Sequence, residues 1–155
     1  MKEEILNPTG KYIICDTGPA DWGKTETLLK VIDILSMYYK PVSEIRTNGN
    51  DRWDKFIISS GRKVVVSTQG DPNSLQTKWL KQAVDVKADI IVTTCRTSGD
   101  TVETIYDFAK EYEYEIIWFR NFHCDVTAHF SADSMKYIRC KEAQALVDIL
   151  HVITS

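Results

Sequence analysis

The stretch that decides the fold is Gly18-Pro19-Ala20-Asp21-Trp22-Gly23-Lys24-Thr25. It follows an apolar run at residues 12–15 and leads into residues 25–39, where apolar side chains recur at helical spacing. Pro41 ends that second segment. The pattern predicts a buried strand, a glycine-rich loop and an amphipathic helix in succession, which is the opening of an α/β layered fold.

The remainder of the chain repeats the alternation of strand and helix. We predict strands at residues 56–58, 63–68, 89–95 and 115–119, a short strand at 135–139, and helices at 74–86, 101–112 and 141–153. Residues 41–53 and 120–134 are predicted to be polar connections, and the turn at residues 60–62 indicates an antiparallel hairpin. Either Ser98 or Asp100 is placed to cap the helix that starts at residue 101. The expected fold is three-layer α/β/α, with a mostly parallel sheet of about five strands plus one antiparallel hairpin strand.

Composition limits the classes of function. The chain has 155 residues, of which 43% are hydrophobic and 26% charged, so we expect a single domain over residues 1–155. A formal net charge of -3 provides no basic field for nucleic acid or an anionic membrane, and no run of about 20 apolar residues is present. We expect a cytoplasmic protein whose cysteines are reduced and mostly structural: Cys15, Cys95, Cys124 and Cys140.

The glycine-rich stretch carries the chemistry of phosphate binding. Backbone N–H groups of such a loop and of the following helix N-terminus converge on a polyphosphate, and glycine lets the backbone approach it closely. Lys24 is expected to extend its charge to the β- and γ-phosphates, and the Thr25 hydroxyl to bind Mg²⁺. The predicted nucleotide-binding residues are therefore Gly18, Pro19, Ala20, Asp21, Trp22, Gly23, Lys24, Thr25 and Glu26.

On these residues and their setting, the chain resembles the P-loop NTPase superfamily. The resemblance implies a P-loop fold that binds ATP or GTP with Mg²⁺. The predicted hairpin followed by Ser67-Thr68-Gln69-Gly70 also resembles the hairpin and D-x-x-G loop of small GTPases, with serine replacing the aspartate. The N-K-x-D motif by which those GTPases recognise guanine does not occur, so ATP is the default nucleotide.

Other residues are candidates to complete the site. Asp16 ends the first predicted strand and Asp71 follows the hairpin, and each is a candidate for the magnesium shell, with Asp71 also catalytic. Arg96 and Arg120 follow later strands, at the sheet edge where ligands gather in open α/β sheets, and are candidates to neutralise transferring phosphate alongside Lys24. Gln69 is a candidate to orient water.

Two polar loops leave alternatives open. Residues 41–53 would hold the switching element of a nucleotide-regulated module, with Thr47 as a second magnesium ligand. Residues 120–134 suit a lid over the site, although a transition-metal site is the other interpretation of four of its side chains: His123, Cys124, Asp125 and His129.

Three functional hypotheses follow from the sequence. The first is an ATP hydrolase or a small kinase acting on a small molecule or nucleotide. The second is a regulatory module that reports nucleotide occupancy to a partner protein, with slow or absent hydrolysis. The third, a degenerate loop without nucleotide, is opposed by the intact Gly23, Lys24 and Thr25.

Overall fold

A computed structural model describes residues 10–18, 23–40, 46–70, 74–97, 99–120 and 132–154. Strands and helices alternate along these residues except at three consecutive strands after the first helix. The elements are β1 (Tyr12–Thr17), α1 (Lys24–Tyr38), β2 (Arg46–Asn48), β3 (Asp51–Ile57), β4 (Lys63–Ser67), α2 (Gln76–Asp85), β5 (Ile90–Cys95), α3 (Asp100–Tyr112), β6 (Glu115–Arg120) and α4 (Ala132–Thr154).

The strands of the described ranges form one mixed sheet in the order β2-β3-β4-β5-β1-β6. β1 pairs in parallel with β5 and β6, and β4 pairs in parallel with β5. β3 is antiparallel to both β2 and β4, which confirms the hairpin predicted around residues 60–62. The carboxyl end of β1, where the glycine-rich stretch begins, therefore lies between the carboxyl ends of β5 and β6.

Helices cover both faces of the sheet. α1 and α4 pack on one face, with a core that includes Ile14, Val66 and Val92 of the strands. α2 and α3 pack on the other, against Ile13, Val65 and Ile91. Successive strand residues point to opposite faces, so each strand contributes to both cores. This is the layered α/β architecture that the sequence predicts.

The predicted polar connection at residues 41–53 is wrong in its second half, because it contains β2 and the start of β3. Gly49 and Asn50 form a two-residue turn between these strands, with Gly49 at φ 62°. β2 is a three-residue edge strand of polar residues, so no alternation of apolar side chains marks it in the sequence.

The predicted short strand at residues 135–139 is also wrong, because these residues lie within α4. Their buried member is Arg139, which continues the helical stripe of Ala143, Leu146 and Leu150 toward the N-terminus. The predicted cap of α3 differs too: Gly99 is its N-cap, and Asp100 lies in its first turn, where its charge favours the helix dipole. Ser98 lies outside the described residues. None of the helices in these ranges has the length and apolar character needed to span a membrane.

Candidate phosphate-binding site

The glycine-rich stretch joins β1 to α1 at the carboxyl end of β1, which lies between β5 and the edge strand β6. Gly18 is buried and its N–H donates to the carbonyl of Cys95 at 3.3 Å, which fixes the chain as it leaves β1. α1 starts at Lys24, and its N-cap is Gly23 in the left-handed region at φ 75°. Thr27 N–H donates to the Gly23 carbonyl at 2.9 Å and closes the first helical turn. Pro19, Ala20, Asp21 and Trp22 lie outside the described residues.

Lys24 folds back across the loop. Its side chain is buried, with a relative exposure of 7%, and its Nζ donates to the Gly18 carbonyl. An ammonium group is costly to bury unless it is hydrogen-bonded, and this contact meets that need. The lysine thus spans the first and last parts of the loop. Thr25 is half-buried and Glu26 is exposed in the first turn of α1.

A guanidinium group from α4 packs against the loop. A Cβ atom added at Gly23 would lie 2.6 Å from Cζ and 2.9 Å from Nη2 of Arg139, so a side chain there would displace the guanidinium, and the φ of 75° itself favours glycine. Arg139 Nη1 donates to Oε1 of Glu142 at 2.5 Å, and the side chains are 4% and 0% exposed. The sequence reasoning missed both residues. The signal for them was a charged pair at helical spacing inside an otherwise apolar stripe.

Asp16 is fully buried near the carboxyl end of β1. It lies on the same face as Ile14, two residues earlier, and hence on the face that carries α1. Its carbonyl accepts a hydrogen bond from Thr94 Oγ1 at 2.8 Å, on the neighbouring strand β5. The predicted magnesium candidate is therefore next to the loop in sequence and on the correct side of the sheet.

The segment that follows β4 is held in place by hydrogen bonds within the protein and is not open to a ligand. Gln69 uses both ends of its amide, since Nε2 donates to Asp51 at 2.8 Å and Oε1 accepts from the Leu75 N–H at 3.1 Å. This geometry does not support the hypothesis that Gln69 orients water. Ser67 is buried on the opposite face from Asp16, so it does not replace a magnesium-binding aspartate.

Gly70 brings this segment against β5. A Cβ there would lie 2.5 Å from the carbonyl carbon and 2.7 Å from Cγ2 of Thr94, which leaves room only for glycine. Thr94 is also the residue whose hydroxyl donates to the Asp16 carbonyl, so Gly70 and Asp16 contact the same residue of β5. Asp71 comes next but lies outside the described residues.

The two predicted arginines flank the end of β1. Arg96 follows β5; its N–H donates to Thr101 Oγ1 at 2.9 Å, and its carbonyl accepts from Thr17 Oγ1 at 3.3 Å. Arg120 ends β6, in register with Thr17, and its side chain is exposed. It borders a cavity of about 210 Å³ whose other lining residues are Thr17, Thr97, Val102, Tyr106 and Trp118.

Two thiols lie beneath the loop on the α2/α3 face. Cys15 Sγ donates to Cys95 Sγ at 3.3 Å, and both side chains are buried. Burial raises the pKa of Cys15, whereas the hydrogen bond from Cys15 lowers the pKa of Cys95. Cys15, Cys95 and the exposed Cys140 are free, as predicted, and Cys124 lies outside the described residues.

The other predicted metal ligands are Thr47 and a group of residues in the 120–134 loop. Within the described ranges, no three His, Cys, Asp or Glu side chains form a cluster suited to a metal ion. Thr47 is on the edge strand β2, four strand spacings or about 19 Å from β1, so it does not reach the loop. The loop residues His123, Cys124, Asp125 and His129 lie outside the described part of the chain.

Protein-family models, curated proteins and solved structures were compared with this chain, and none matches it.

Proposed function

We propose that this chain binds a nucleoside triphosphate with Mg²⁺ at residues 18–26 and transfers or hydrolyses its terminal phosphate. One observation carries the proposal: Gly23 starts α1 in a left-handed conformation while the Lys24 ammonium returns to the carbonyl of Gly18. This arrangement places a cation and the N-terminal N–H groups of a helix at one short loop. Such a loop is suited to a polyphosphate.

The buried charges near the loop support the same proposal. Arg139 adds a second cation beside Gly23, held by Glu142 rather than exposed to solvent. Preorganised positive groups stabilise negative charge without having to reorganise when it arrives. ATP is proposed over GTP because the guanine-recognition motif N-K-x-D does not occur in the sequence.

For magnesium, the residues present offer suitable oxygen donors. We propose Thr25 as a direct ligand and Asp16 and Asp71 as candidates for its water shell, since hydroxyl and carboxylate oxygens suit this ion. Bound Mg²⁺ would neutralise charge on the β- and γ-phosphates. Lys24, Arg96 and Arg120 would stabilise the remaining charge as the terminal phosphate leaves.

A nucleotide-dependent regulatory module is the second candidate. It is favoured by Gln69, whose amide is fully engaged with Asp51 and Leu75 and so is not free to orient an attacking water. A binding protein of this kind would hold ATP and turn it over slowly, for the benefit of a partner protein. The two candidates differ in turnover and not in affinity.

ADP formation measured with and without Mg²⁺ tests the proposal. We expect Mg²⁺-dependent turnover that falls about 100-fold in Lys24→Ala, which corresponds to about 3 kcal/mol of charge-assisted hydrogen bonding. Lys78→Ala, which removes an exposed lysine of α2, is the matched control and should leave turnover unchanged. ATP binding without turnover would favour the module, and absence of ATP binding would refute both candidates.

A further inference from the structure

The cavity bordered by Arg120 lies directly beside the candidate phosphate loop. Its walls come from the ends of three neighbouring strands and from α3: Thr17, Thr97, Val102, Tyr106, Trp118 and Arg120. Thr17 is the last residue of β1 and is followed by Gly18, the first residue of the loop. We propose that this cavity is the acceptor site of a phosphotransferase and binds a planar aromatic ring that carries an anionic group. The inference rests on the proposed function for its phosphate donor.

Two aromatic side chains provide a surface for the ring. Tyr106 and Trp118 lie with ring centroids 5.3 Å apart and planes inclined at 54°, yet they remain 54% and 39% exposed. Large aromatic rings bury their faces where they can, so an exposed pair inside a cavity is a feature of binding sites. Stacking on an indole ring tolerates any flat heteroaromatic ligand.

The polar atoms of the cavity select for negative charge. Arg120 is exposed, and its planar guanidinium suits a phosphate or carboxylate group. Thr17 and Thr97 add hydroxyl groups, and the described residues that line the cavity include no acid. A ring that bears an anion satisfies both parts of the site at once.

The contact of Lys24 with Gly18 identifies which end of the donor faces the cavity. In the proposed complex the lysine ammonium lies at the β- and γ-phosphates, and the structure holds that ammonium at the carbonyl of Gly18. Gly18 is adjacent to Thr17 of the cavity wall. The wall of the cavity therefore begins one residue from the carbonyl that holds this ammonium, and the proposal places the terminal phosphate of the donor at that boundary.

The proposed phosphoryl transfer needs no reactant other than ATP and the acceptor. An oxygen of the acceptor's anionic group forms a bond to the γ-phosphorus, and the bond between that phosphorus and the β–γ bridging oxygen breaks, so ADP leaves with the bonding electrons. If the attacking oxygen belongs to an ionised phosphate, no proton has to be removed. Nucleoside monophosphates combine a ring with such a phosphate and are the appropriate probes.

The test measures binding of AMP, GMP, CMP and UMP to the full chain by calorimetry, and ADP formation from ATP and Mg²⁺ in their presence. We expect at least one monophosphate to bind and to increase ADP formation 10-fold or more. The matching nucleoside, which lacks the phosphate, and ribose 5-phosphate, which lacks the ring, should each bind at least 10-fold more weakly.

Variants separate the acceptor site from the donor site. Trp118→Ala should raise the acceptor KM at least 10-fold and leave the ATP KM unchanged, while Trp118→Phe, which keeps a ring, should have a smaller effect. Arg120→Ala should also raise the acceptor KM at least 10-fold, and it should lower kcat because Arg120 is proposed to stabilise the leaving phosphate as well. Lys24→Ala should lower turnover about 100-fold, as above, and retain monophosphate binding. Tyr38→Ala and Lys110→Ala remove exposed side chains outside the cavity and serve as controls.

Three outcomes would overturn the inference. They are ATP binding with no monophosphate binding, monophosphate binding that leaves ADP formation unchanged, and cavity variants that raise the ATP KM instead of the acceptor KM. In each of them the unmodified chain still binds ATP, so the proposed function is retained. The converse result, monophosphate binding without ATP binding, would retain the cavity as a ligand site and refute the proposed donor loop.

Discussion

The two faces of the sheet differ in whether they bury charged side chains. Within the described ranges, the charged side chains that are buried all lie on the face that packs against α1 and α4: Asp16, Lys24, Asp54, Arg139 and Glu142. The face that packs against α2 and α3 buries uncharged groups instead: Ser67, Gln76, Thr93 and Thr101. Burying a charge is costly, so its confinement to one face calls for a reason.

We interpret the difference as a division between the face that carries the proposed donor loop, with its charged side chains, and the face of the proposed acceptor cavity, whose buried polar groups are uncharged. Lys24, Asp16 and the Arg139–Glu142 pair are all at the end of the α1/α4 layer where the glycine-rich loop lies. Asp54, on β3 of the same face, illustrates the cost of burying a charge. Burial raises the pKa of its carboxyl group in spite of the ion pair with Arg52 at 2.6 Å. The following predictions test this division in order of decreasing effect.

Removing one member of the buried ion pair should have the largest effect. Glu142→Ala leaves the Arg139 charge buried without its carboxylate, and we expect the free energy of unfolding to fall by about 3–5 kcal/mol in urea denaturation. The exposed pair of Lys81 and Asp85, 3.5 Å apart on α2, is the matched control, and Asp85→Ala should cost less than about 1 kcal/mol. Equal losses in the two variants would show that the charges of the α1/α4 face are not special.

Crowding at the loop should produce the next largest effect. Gly23→Ala combines a left-handed backbone with a clash against Arg139, and we expect it to destabilise the protein by about 2–5 kcal/mol and to abolish ATP binding. Gly61→Ala has a similar φ of 81° but no described atom within 4 Å of the added Cβ, so it should cost only about 1–2 kcal/mol. Equal thermal stability of the two variants would mean that Arg139 does not pack on the loop.

Two adjacent threonines of β5 provide the smallest and most direct comparison of the faces. Thr94→Val removes the hydrogen bond to the Asp16 carbonyl and should cost about 1 kcal/mol. Thr93 is buried on the other face, and its Oγ1 has no hydrogen-bond partner among the described residues, so Thr93→Val should be neutral or stabilising by up to about 1 kcal/mol. Thermal unfolding of both variants checks the sign, and the reverse order would contradict the comparison.

The parts of the fold that were predictable are those with strong local signals. The run Ile90–Cys95 is continuously apolar at its start, and Gly61 marks a tight turn between two β-rich runs, so β5 and the β3–β4 hairpin were predicted correctly. β2 was missed because its polar residues lie at a sheet edge and carry no alternation. The first turns of α4 were missed because Tyr137 and Ile138 favour a strand locally, whereas burial of Arg139 and Glu142 against the α1 layer is non-local.

Some residues of the candidate site were likewise predictable from a local motif, and others were not. Gly18, Gly23, Lys24 and Thr25 were identifiable from one motif, because the chemistry of phosphate binding fixes their order along the chain. The contact between Gly23 and Arg139 was not, because it joins residues far apart in sequence through the packing of α4 on α1. The sheet face on which Ser67 lies was not predictable, because it depends on the register of β4 against β5, which the sequence alone does not specify.

Calorimetric titration of the full chain with ATP and Mg²⁺, repeated on Lys24→Ala, tests the central claim most directly. We predict saturable binding of one ATP per chain and an affinity about 100-fold weaker in the variant, with Lys78→Ala unchanged. Absence of binding heat from the unmodified chain over a range of temperatures, or equal affinity in the unmodified chain and Lys24→Ala, would contradict it.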